Sequence, residues 1–495
     1  MSWKRGVLIA LAALICLLLF RTWRVGDPLD VDPIELPEAP TVSANLAATH
    51  LSQALRIRTI ATRPGDPHPG SEGPWLEMHR WLEETYPLMH QELEKELVDD
   101  YTLLYTWHGS DASLLPLMLM AHQDVVPVNP GTEGDWDAPP YSGDILEGFI
   151  YGRGALDDKG SLVGIAEAIE ALVASGFDPR RTIYVLFGHD EEIVQDTGAG
   201  QAVELLRSRN VRLEMVLDEG GGVVTPPPLG AGKGMAAIGV VEKGWISLQL
   251  TAVDAGGHSS TPPRNTGTVR IARAVAALDK RQMPAAIGDP GLEPTIASVG
   301  RELPLLARIA VGNLWLFGPV LERFGSMNSF GNAQLRTTTA PTMLSGSTKE
   351  NVLPQRATAV INFRIHPSNT SQDVIDHVRD IIEPIGGIEL EVFGEVFEPT
   401  PVSPLDSYGY RVLHSVAADM TQGGLVTQVL VAGTTDSRHT FSLTDNVYRF
   451  MPSIGSAEDG AGVHGTNERI AVSSLHEMSE RYAQIVLAMD QPQGE

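Results

Sequence analysis

Three short apolar runs in this chain each lead directly into a histidine or a group of acidic residues. The runs lie at 114–121, 183–187 and 215–217, and the residues that follow include His122 and Asp218. Unbroken apolar runs of this length are typical of strands that are buried on both faces of a sheet. The sequence therefore predicts polar side chains at the carboxyl edge of an α/β sheet, which is where open sheets of this class bind ligands.

Five short clusters contain these acidic and histidine residues. They are AHQDVV at 121–126, GALDDKG at 154–160, GHDEEI at 188–193, LDEGG at 217–221 and VHGT at 463–466. A single acidic residue is weak evidence, because the chain contains 62 Asp plus Glu. Charged groups at buried strand ends, however, need partners. Together the clusters supply the nitrogen and oxygen donors that two divalent cations require.

In this combination the clusters resemble the co-catalytic di-zinc metallopeptidases, the family of aminoacylase, carboxypeptidase G and carboxypeptidase S. The similarity covers residues 45–490 and is greatest to the carboxypeptidase S branch, whose relatives act on N-fatty-acyl amino acids. The resemblance implies two divalent cations, with zinc as the first choice and manganese or cobalt as alternatives. It also implies a cis peptide bond between Asp157 and Asp158.

The resemblance assigns a role to each residue of the clusters. Asp124 would orient the imidazole of His122, and Glu191 would be the general base. The metal ligands would be His122, Asp157 as the bridging ligand, Glu192, Asp218 and His464, with Glu219 as the alternative to Asp218.

Further site residues follow from the resemblance alone. His258, in GGHSS, would reach the active site of the partner subunit in a homodimer. Asn351 in KENVLP and Arg364 in VINFRIHP would bind the free carboxylate of the substrate, a task that suits the guanidinium fork. Arg438 in GTTDSRH would belong to a substrate loop. Without the resemblance, His258 is interpreted as a surface residue and Arg364 as a strand arginine in a surface ion pair.

The function that this implies is metal-dependent hydrolysis of the amide bond of an N-acyl amino acid or a small peptide with a free carboxylate. Two cations would activate the attacking water, and Glu191 would accept its proton. Two alternatives remain open: a dipeptidase or deacylase for polar acyl groups, and a metal-free dimeric binding protein of the same fold. The complete set of ligand and base residues favours the enzyme.

The secondary-structure pattern predicts a catalytic domain that is interrupted by a second domain. Strands and helices alternate, beginning with a strand, at 246–251, 265–278, 359–365, 371–382 and 388–393. This βα plus βαβ order favours an α+β, ferredoxin-like lid that also forms the homodimer. We therefore expect an α/β catalytic domain with a mixed sheet and helices on both faces at 45–244 and 398–495, and an inserted lid at 245–397.

The N-terminal residues have a membrane-targeting pattern. Lys4 and Arg5 precede an unbroken apolar run at 6–20, and no small-residue cleavage site follows it. Residues 1–25 are therefore predicted to form an uncleaved signal anchor, followed by a proline-rich acidic linker at 26–44. The catalytic domain would then lie on the exported side, which is periplasmic, lumenal or extracellular.

Charge and cysteine content exclude several kinds of partner or bond. The formal net charge of −26, without a visible basic patch, disfavours nucleic acid and anionic membrane surfaces. The single cysteine, Cys16, excludes an intrachain disulfide.

The segment 304–324 is unusually apolar for its place in the inserted domain. Such a segment is typical of a lid or dimer core. The alternative is an apolar surface for acyl groups or for the bilayer.

Overall fold

The computed structural model describes residues 3–25, 31–61, 72–193, 197–227, 233–287, 295, 298–300 and 303–492. The chain divides into two units. The larger unit comprises 29–240, 403–429 and 435–495, and the smaller unit comprises 1–28, 241–402 and 430–434.

The strands of both units, in chain order, are β1 (Glu94–Val98), β2 (Thr102–Trp107), β3 (Leu117–His122), β4 (Ile145–Leu146), β5 (Phe149–Tyr151), β6 (Ile183–Gly188), β7 (Met215–Asp218), β8 (Gly222–Val224), β9 (Met235–Glu242), β10 (Gly244–Val253), β11 (Gly257–His258), β12 (Thr338–Ser345), β13 (Val352–Leu353), β14 (Arg356–Ile365), β15 (Glu389–Phe397), β16 (Leu425–Val431), β17 (Val447–Arg449), β18 (Ile454–Gly455) and β19 (Arg469–Ala471).

The α-helices, in chain order, are α1 (Trp3–Arg24), α2 (Ala44–Arg56), α3 (Glu72–Thr85), α4 (Pro87–Glu92), α5 (Lys159–Ala174), α6 (Gly198–Ser208), α7 (Gly267–Lys280), α8 (Leu305–Gly312), α9 (Leu314–Gly325), α10 (Ser329–Leu335), α11 (Ser371–Ile382), α12 (Tyr408–Met420), α13 (Ala457–Ala461) and α14 (Val472–Asp490). Helix α1 contains the stretch Arg5–Arg24, which is long and apolar enough to cross a membrane.

A mixed sheet forms the centre of the larger unit. Its order is β1-β2-β6-β3-β7-β17-β9-β8-β18, and β16 pairs with β9. The strands β6, β3, β7 and β17 are mutually parallel. All six residues of β3 are buried, because Met118 and Met120 pack in one cluster with Val203 and Leu206 of α6, and α5 also contacts β3. Successive side chains of a strand point to opposite faces, so helices cover this sheet on both sides.

The smaller unit contains a four-stranded antiparallel sheet in the order β12-β14-β10-β15. Its elements follow one another as β10, α7, β12, β14, α11 and β15, which is the βαββαβ arrangement of ferredoxin-like domains. Apolar residues of α7 and α11, such as Ile271 and Val378, pack against Leu248 and Ile361 of the central strands.

The edge strand β12 was not expected from the sequence. It contains Pro341, and the pairing with β14 shifts register between Pro341 and Met343. Proline cannot donate a ladder hydrogen bond and is therefore confined to edge strands and bulges. The strand is also largely exposed, so its sequence lacks the apolar alternation by which a buried strand is predicted.

Two loops of the larger unit are tied together by the buried carboxylate of Glu468. Its Oε2 pairs with the guanidinium of Arg153, which also donates to the carbonyl of Gly465 at 2.9 Å. Its Oε1 accepts the backbone N–H groups of Gly154 at 3.0 Å, Leu156 at 2.9 Å and Asp157 at 3.1 Å. One carboxylate therefore holds residues 153–157 against residues 465–468.

We expect Glu468→Ala to lower the free energy of unfolding by about 3–5 kcal/mol, because it leaves a buried guanidinium without its carboxylate. Chemical denaturation of the full chain measures this change. The matched control is Glu204→Ala, which removes a carboxylate from the exposed pair with Arg207 and should leave stability unchanged. Equal stability of the two variants would show that Glu468 does not hold the loops.

Candidate metal centre

Three neighbouring strands bring predicted site residues to one edge of the large sheet. Strand β3 lies between β6 and β7 and is parallel to both. His122 is the last residue of β3, where it lies opposite Gly188, and Asp218 is the last residue of β7. A short 3-10 helix, Glu191–Ile193, follows β6. Because parallel strands end at the same edge, these acidic residues and His122 lie close together.

Two loops complete the cluster. Asp157 lies two residues before the start of α5, and the expected cis peptide bond between Asp157 and Asp158 is present. His464 lies between α13 and β19 with a left-handed backbone, φ 57°. These are the loops that Glu468 ties together, so its buried pair with Arg153 also sets the separation of Asp157 and His464.

The imidazoles and carboxylates of these residues are in direct contact. His122 Nε2 lies 3.0 Å from Asp157 Oδ1 and 3.5 Å from Glu219 Oε1. His464 Nε2 lies 3.1 Å from Asp157 Oδ2 and 3.0 Å from Glu192 Oε2. Asp157 therefore lies between the two histidines and presents one oxygen to each. The side chain of His464 is 52% exposed, so the cluster is accessible on that side.

Asp124 lies behind His122. The imidazole Nδ1 is 3.2 Å from Asp124 Oδ1 and 3.0 Å from its backbone carbonyl oxygen. The other carboxylate oxygen of Asp124 accepts the N–H of Glu192 at 2.9 Å. Asp124 is thus placed to direct Nε2 of His122 into the cluster and to hold the backbone of Glu192.

The cluster contains more negative charge than its histidines can balance. Burial, followed by the charges of neighbouring carboxylates, raises the pKa of Glu191, Glu192 and Glu219. Burial opposes ionisation of Asp157 as well, but hydrogen bonds from His122 and His464 lower its pKa. Added cations would remove this repulsion and keep all four carboxylates ionised at neutral pH.

The donor set fits a divalent cation. Ligand atoms of His122, Asp157 and Glu192 lie within 4.8 Å of one another, and the same holds for His122, Asp158 and Glu219. Imidazole nitrogen and carboxylate oxygen are ligands that zinc and similar divalent ions accept. Buried carboxylates of this density are otherwise costly, because an ionised group without a compensating charge is strongly disfavoured in the interior.

The two candidate ligands at the end of β7, Asp218 and Glu219, make different contacts. Asp218, the first choice, accepts the backbone N–H of Ser437 at 2.8 Å through Oδ2 and is buried. The next residue, Glu219, is the one whose carboxylate lies beside His122. Asp218 therefore bonds to the loop of Ser437, whereas Glu219, the alternative candidate, contacts the imidazole of His122.

Two further aspartates at the cluster, Asp158 and Asp436, were not predicted as site residues from the sequence. Asp158 is buried within ligand distance of His122 and Glu219, and burial raises its pKa. The carboxylate of Asp436 packs so tightly against Gly188 that a side chain at position 188 would overlap it. The sequence signals were the second aspartate of the DDK motif and the glycine that ends β6.

His258 and Asn351 lie together in the smaller unit. His258 is exposed in β11, which pairs with β13 directly after Asn351. The N–H of Ser259 donates to the carbonyl of Asn351 at 3.2 Å. Both residues line a surface cleft of about 560 Å³, together with Arg356 at the start of β14. The cleft is open, so His258 and Asn351 are accessible to a ligand.

Arg364 lies near the other end of β14. Its guanidinium carbon is 4.0 Å from the ring centroid of Trp245, which is a cation–π geometry. Arg364 and Arg356 are eight residues apart on one extended strand, or about 26 Å. Arg364 is therefore far from the cleft that contains His258 and Asn351.

Arg438 is largely buried in the larger unit, within the 3-10 helix Asp436–Ser442. Its guanidinium donates to the carbonyl of Thr435 at 2.9 Å and lies 3.7 Å from Asp436 Oδ1. These contacts hold Arg438 within its own loop, and they favour a structural role over the substrate contact expected from the sequence.

Comparison with known proteins supports the interpretation of the cluster. Residues 118–488 match the family described as Peptidase family M20/M25/M40. The N-fatty-acyl-amino acid synthase/hydrolase PM20D1 of Xenopus tropicalis is 36% identical over 98% of this chain and 94% of its own length. The probable carboxypeptidase S-like 2 of Dictyostelium discoideum is 33% identical over 97% of this chain and 92% of its own. The predicted carboxypeptidase S branch is confirmed.

A solved structure shows the same fold. The M20 family metallo-carboxypeptidase Sso-CP2 from Sulfolobus solfataricus has a TM-score of 0.65 and 18% sequence identity, covering 90% of this chain and 99% of that one. The predicted α/β metallopeptidase fold is thereby confirmed. On the combined evidence of the family match, the relatives and the donor cluster, this chain belongs to the Peptidase family M20/M25/M40 and is a hydrolase that uses a divalent metal.

Proposed function

We propose that this enzyme hydrolyses the amide bond of N-acyl amino acids or small peptides that have a free carboxylate. The observation that carries the proposal is the carboxylate of Asp157, whose two oxygens contact two different imidazoles in an acidic cluster. The names of the relatives support the substrate class, since one is an N-fatty-acyl-amino acid synthase/hydrolase and another a probable carboxypeptidase S-like protein.

In this proposal Asp157 would supply one oxygen to each of two divalent cations, for which zinc is the first choice. His122 and Glu219 complete one donor set, and Glu192 and His464 complete the other. The distances of 3.0–3.5 Å from the imidazoles to these carboxylates support this division, because each histidine contacts Asp157 and one glutamate.

Glu191 is the residue placed to transfer protons. When bound, the cations polarise the amide carbonyl and lower the pKa of the attacking water. Glu191 immediately precedes the proposed ligand Glu192 in the 3-10 helix. Its carboxylate is buried close enough to the donors for the charges of Glu219 and His122 to act on its pKa. It accepts the proton of the water and returns it to the leaving amine. Asp124 fixes the tautomer and the orientation of His122 during these steps.

Arg364 and Asn351 bind the substrate carboxylate in this proposal, and His258 donates to the oxyanion. Within one chain Arg364 lies about 26 Å along the strand from the His258 cleft. A small substrate cannot contact both ends of that strand. His258 therefore serves the site of a second chain, as the resemblance implies, and Asn351, which lies in the same cleft, serves that site with it. The active enzyme is then a homodimer.

The smaller unit offers a surface for such a homodimer. β12 is an edge strand of its sheet, so its outer backbone groups are free to pair with another strand. Beside it, a groove of about 660 Å³ is lined by apolar residues of α7 and β12, among them Val275, Pro341 and Leu344. Apolar area next to an unpaired edge favours pairing of two identical subunits.

The chain is attached to the membrane through α1 in this proposal. The helix has 22 residues, a length of about 33 Å, which matches the apolar core of a bilayer. Its leucines and Phe20 are mostly exposed in the structure. Placing the catalytic units on the exported side leaves Lys4 and Arg5 on the cytoplasmic side, where basic residues accumulate.

We expect Glu191→Gln to lower turnover at least about 100-fold while metal content stays unchanged, because the amide keeps the shape of the side chain but cannot accept a proton. Turnover is measured with N-acetyl, N-oleoyl and N-glycyl amino acids. Near-normal turnover of the variant would remove Glu191 from the base role.

The same panel tests the substrate class with the unaltered enzyme. Cleavage of the N-acetyl or N-oleoyl compounds supports the proposal. Cleavage of the N-glycyl compound alone would favour the alternative, a dipeptidase for polar acyl groups. Failure of the metal-loaded enzyme to cleave any of the three would contradict amide hydrolysis and favour a binding protein.

Measuring the metal content of variants distinguishes the two candidate ligands at the end of β7, Asp218 and Glu219. The unaltered chain should bind about two divalent ions, and Glu219→Gln or Glu192→Gln should each lose about one, since each removes a donor from one set. Asp218→Asn is the matched control and should retain both, because Asp218 bonds to Ser437. Elemental analysis of the folded variants measures this. Metal loss in Asp218→Asn with full occupancy in Glu219→Gln would reverse the assignment.

Mixing two inactive variants tests the homodimer. Chains with Glu191→Gln and chains with His258→Ala should recover about a quarter of the normal activity per site after subunit exchange, because half of the dimers are mixed and each has one intact site. Mixing Glu191→Gln with Glu192→Gln is the control and should recover none, since both changes damage the chain's own site. Absence of recovery under demonstrated exchange would contradict the shared site.

A further inference from the structure

The helices α8, α9 and α10 of the smaller unit present large apolar side chains to the outside. None of the residues of these three helices is buried. Exposed apolar residues among them and in the adjoining turn are Leu305, Leu306, Trp315, Leu316, Val320, Phe324, Met327 and Phe330. A contiguous apolar surface of this size marks contact with another molecule or a membrane.

One residue of this region is buried. Asn313, which links α8 to α9, is 0% exposed because it packs on α1. Its Nδ2 lies 2.9 Å from the carbonyl oxygen of Ile309, 3.3 Å from that of Leu18 and 3.3 Å from the hydroxyl of Thr22. The neighbouring Gly312 lets the backbones approach, because a side chain there would meet Thr22 and Val25. Small residues and polar side chains that hydrogen-bond across helices are characteristic of packing between membrane helices.

This contact sets the position of α8 and α9 along α1. Leu18 and Thr22 lie in the last two turns of α1, where a spanning helix leaves the apolar core of the bilayer. Trp23 and Trp315 are both exposed near this level, and Arg21 and Arg24 end the helix. Tryptophan and basic residues are enriched at the membrane–water interface. The apolar helices are therefore held at the height of that interface.

The shape of the pair suits a position along the interface. α8 and α9 have 8 and 12 residues, and the chain bends by 116° between them, so neither crosses an apolar core of about 30 Å. Leu316, Val320 and Phe324 are spaced by four residues and share one face of α9. Glu322, on the opposite side, pairs with Arg336 at 2.9 Å. One face of α9 is thus apolar and the other is tied to the protein.

We propose that α8 and α9 form a second membrane-contacting element, which lies in the interfacial layer of the bilayer that α1 crosses. The inference rests on the proposed anchor α1 and goes beyond it, because it assigns the bilayer as the partner of the inserted unit. Since the chain has a net charge of −26, the attachment is apolar and does not require anionic lipid.

Single cysteine labels in the full chain test the inference, because Cys16 is the single cysteine. The chain is placed in phosphatidylcholine vesicles with an environment-sensitive fluorophore on one cysteine. Two nitroxide lipids are used to quench the label. The shallow one has its nitroxide near the glycerol, and the deep one has it in the middle of the acyl chain. The test variant combines Cys16→Ser with Val320→Cys, and the matched control combines Cys16→Ser with Val253→Cys. Val320 and Val253 are 49% and 54% exposed. Val253 ends β10, about 30 Å along the strand from Gly244, and the Gly244 end is the one near α9, because Lys243 donates to Arg336, the partner of Glu322.

We expect the label at 320 to be quenched several-fold more by the shallow nitroxide than the label at 253. A label on Cys16 in the unaltered chain should be quenched best by the deep nitroxide. Quenching at Cys16 with none at 320 would overturn the inference and leave the anchor intact. A label at 320 that is shielded from nitroxide lipids and from aqueous iodide would overturn it in favour of a second copy of the chain. Absence of quenching at both positions would overturn the inference and the anchor together.

Discussion

The carboxylate of Asp157 is the group on which the rest of the site depends. Its two oxygens contact His122 and His464 at 3.0 and 3.1 Å, and these histidines come from parts of the chain that are far apart in sequence. A largely covered carboxylate, whose side chain is only 17% exposed, needs compensating positive charge nearby when it is ionised. The surrounding glutamates add negative charge, so divalent cations are the partners that make the cluster stable when ionised.

The fold holds this cluster through ordinary structural interactions. Parallel strands β6, β3 and β7 end at one edge, which brings together residues that follow three separate apolar runs. Glu468 and Arg153 then hold the loops of Asp157 and His464 from behind. Because the pair is buried and Glu468 also accepts three backbone N–H groups of residues 154–157, it positions the donors without contributing one.

The smaller unit has three surfaces that are open to other molecules. At one end of its sheet, the cleft with His258 and Asn351 is open, and along β12 an unpaired edge is available for a second subunit. The apolar helices α8 and α9 are fixed to α1 through Asn313. A second subunit is the inferred partner of β12, because the outer backbone groups of an edge strand are not paired within the sheet. The bilayer is the inferred partner of α8 and α9, because their apolar surface is not covered by the unit itself.

The sequence by itself determined the elements whose signals are local. The buried runs before His122 and Asp218, the helix after Asp158 and the strands of the inserted unit follow from apolar periodicity, and the donor types indicate metal chemistry. Only the tertiary structure placed Glu219 beside His122 and Asp218 against Ser437, because the two residues are adjacent in the chain and packing sets the direction of each carboxylate. It also revealed the exposed edge strand β12, the roles of Glu468 and Asp158, and the contact of Asn313 with Thr22. Local sequence does not predict these features. Glu468, Asp158 and Asn313 contact residues that are distant in the chain, and the exposed β12 lacks the periodic apolar pattern of a buried strand.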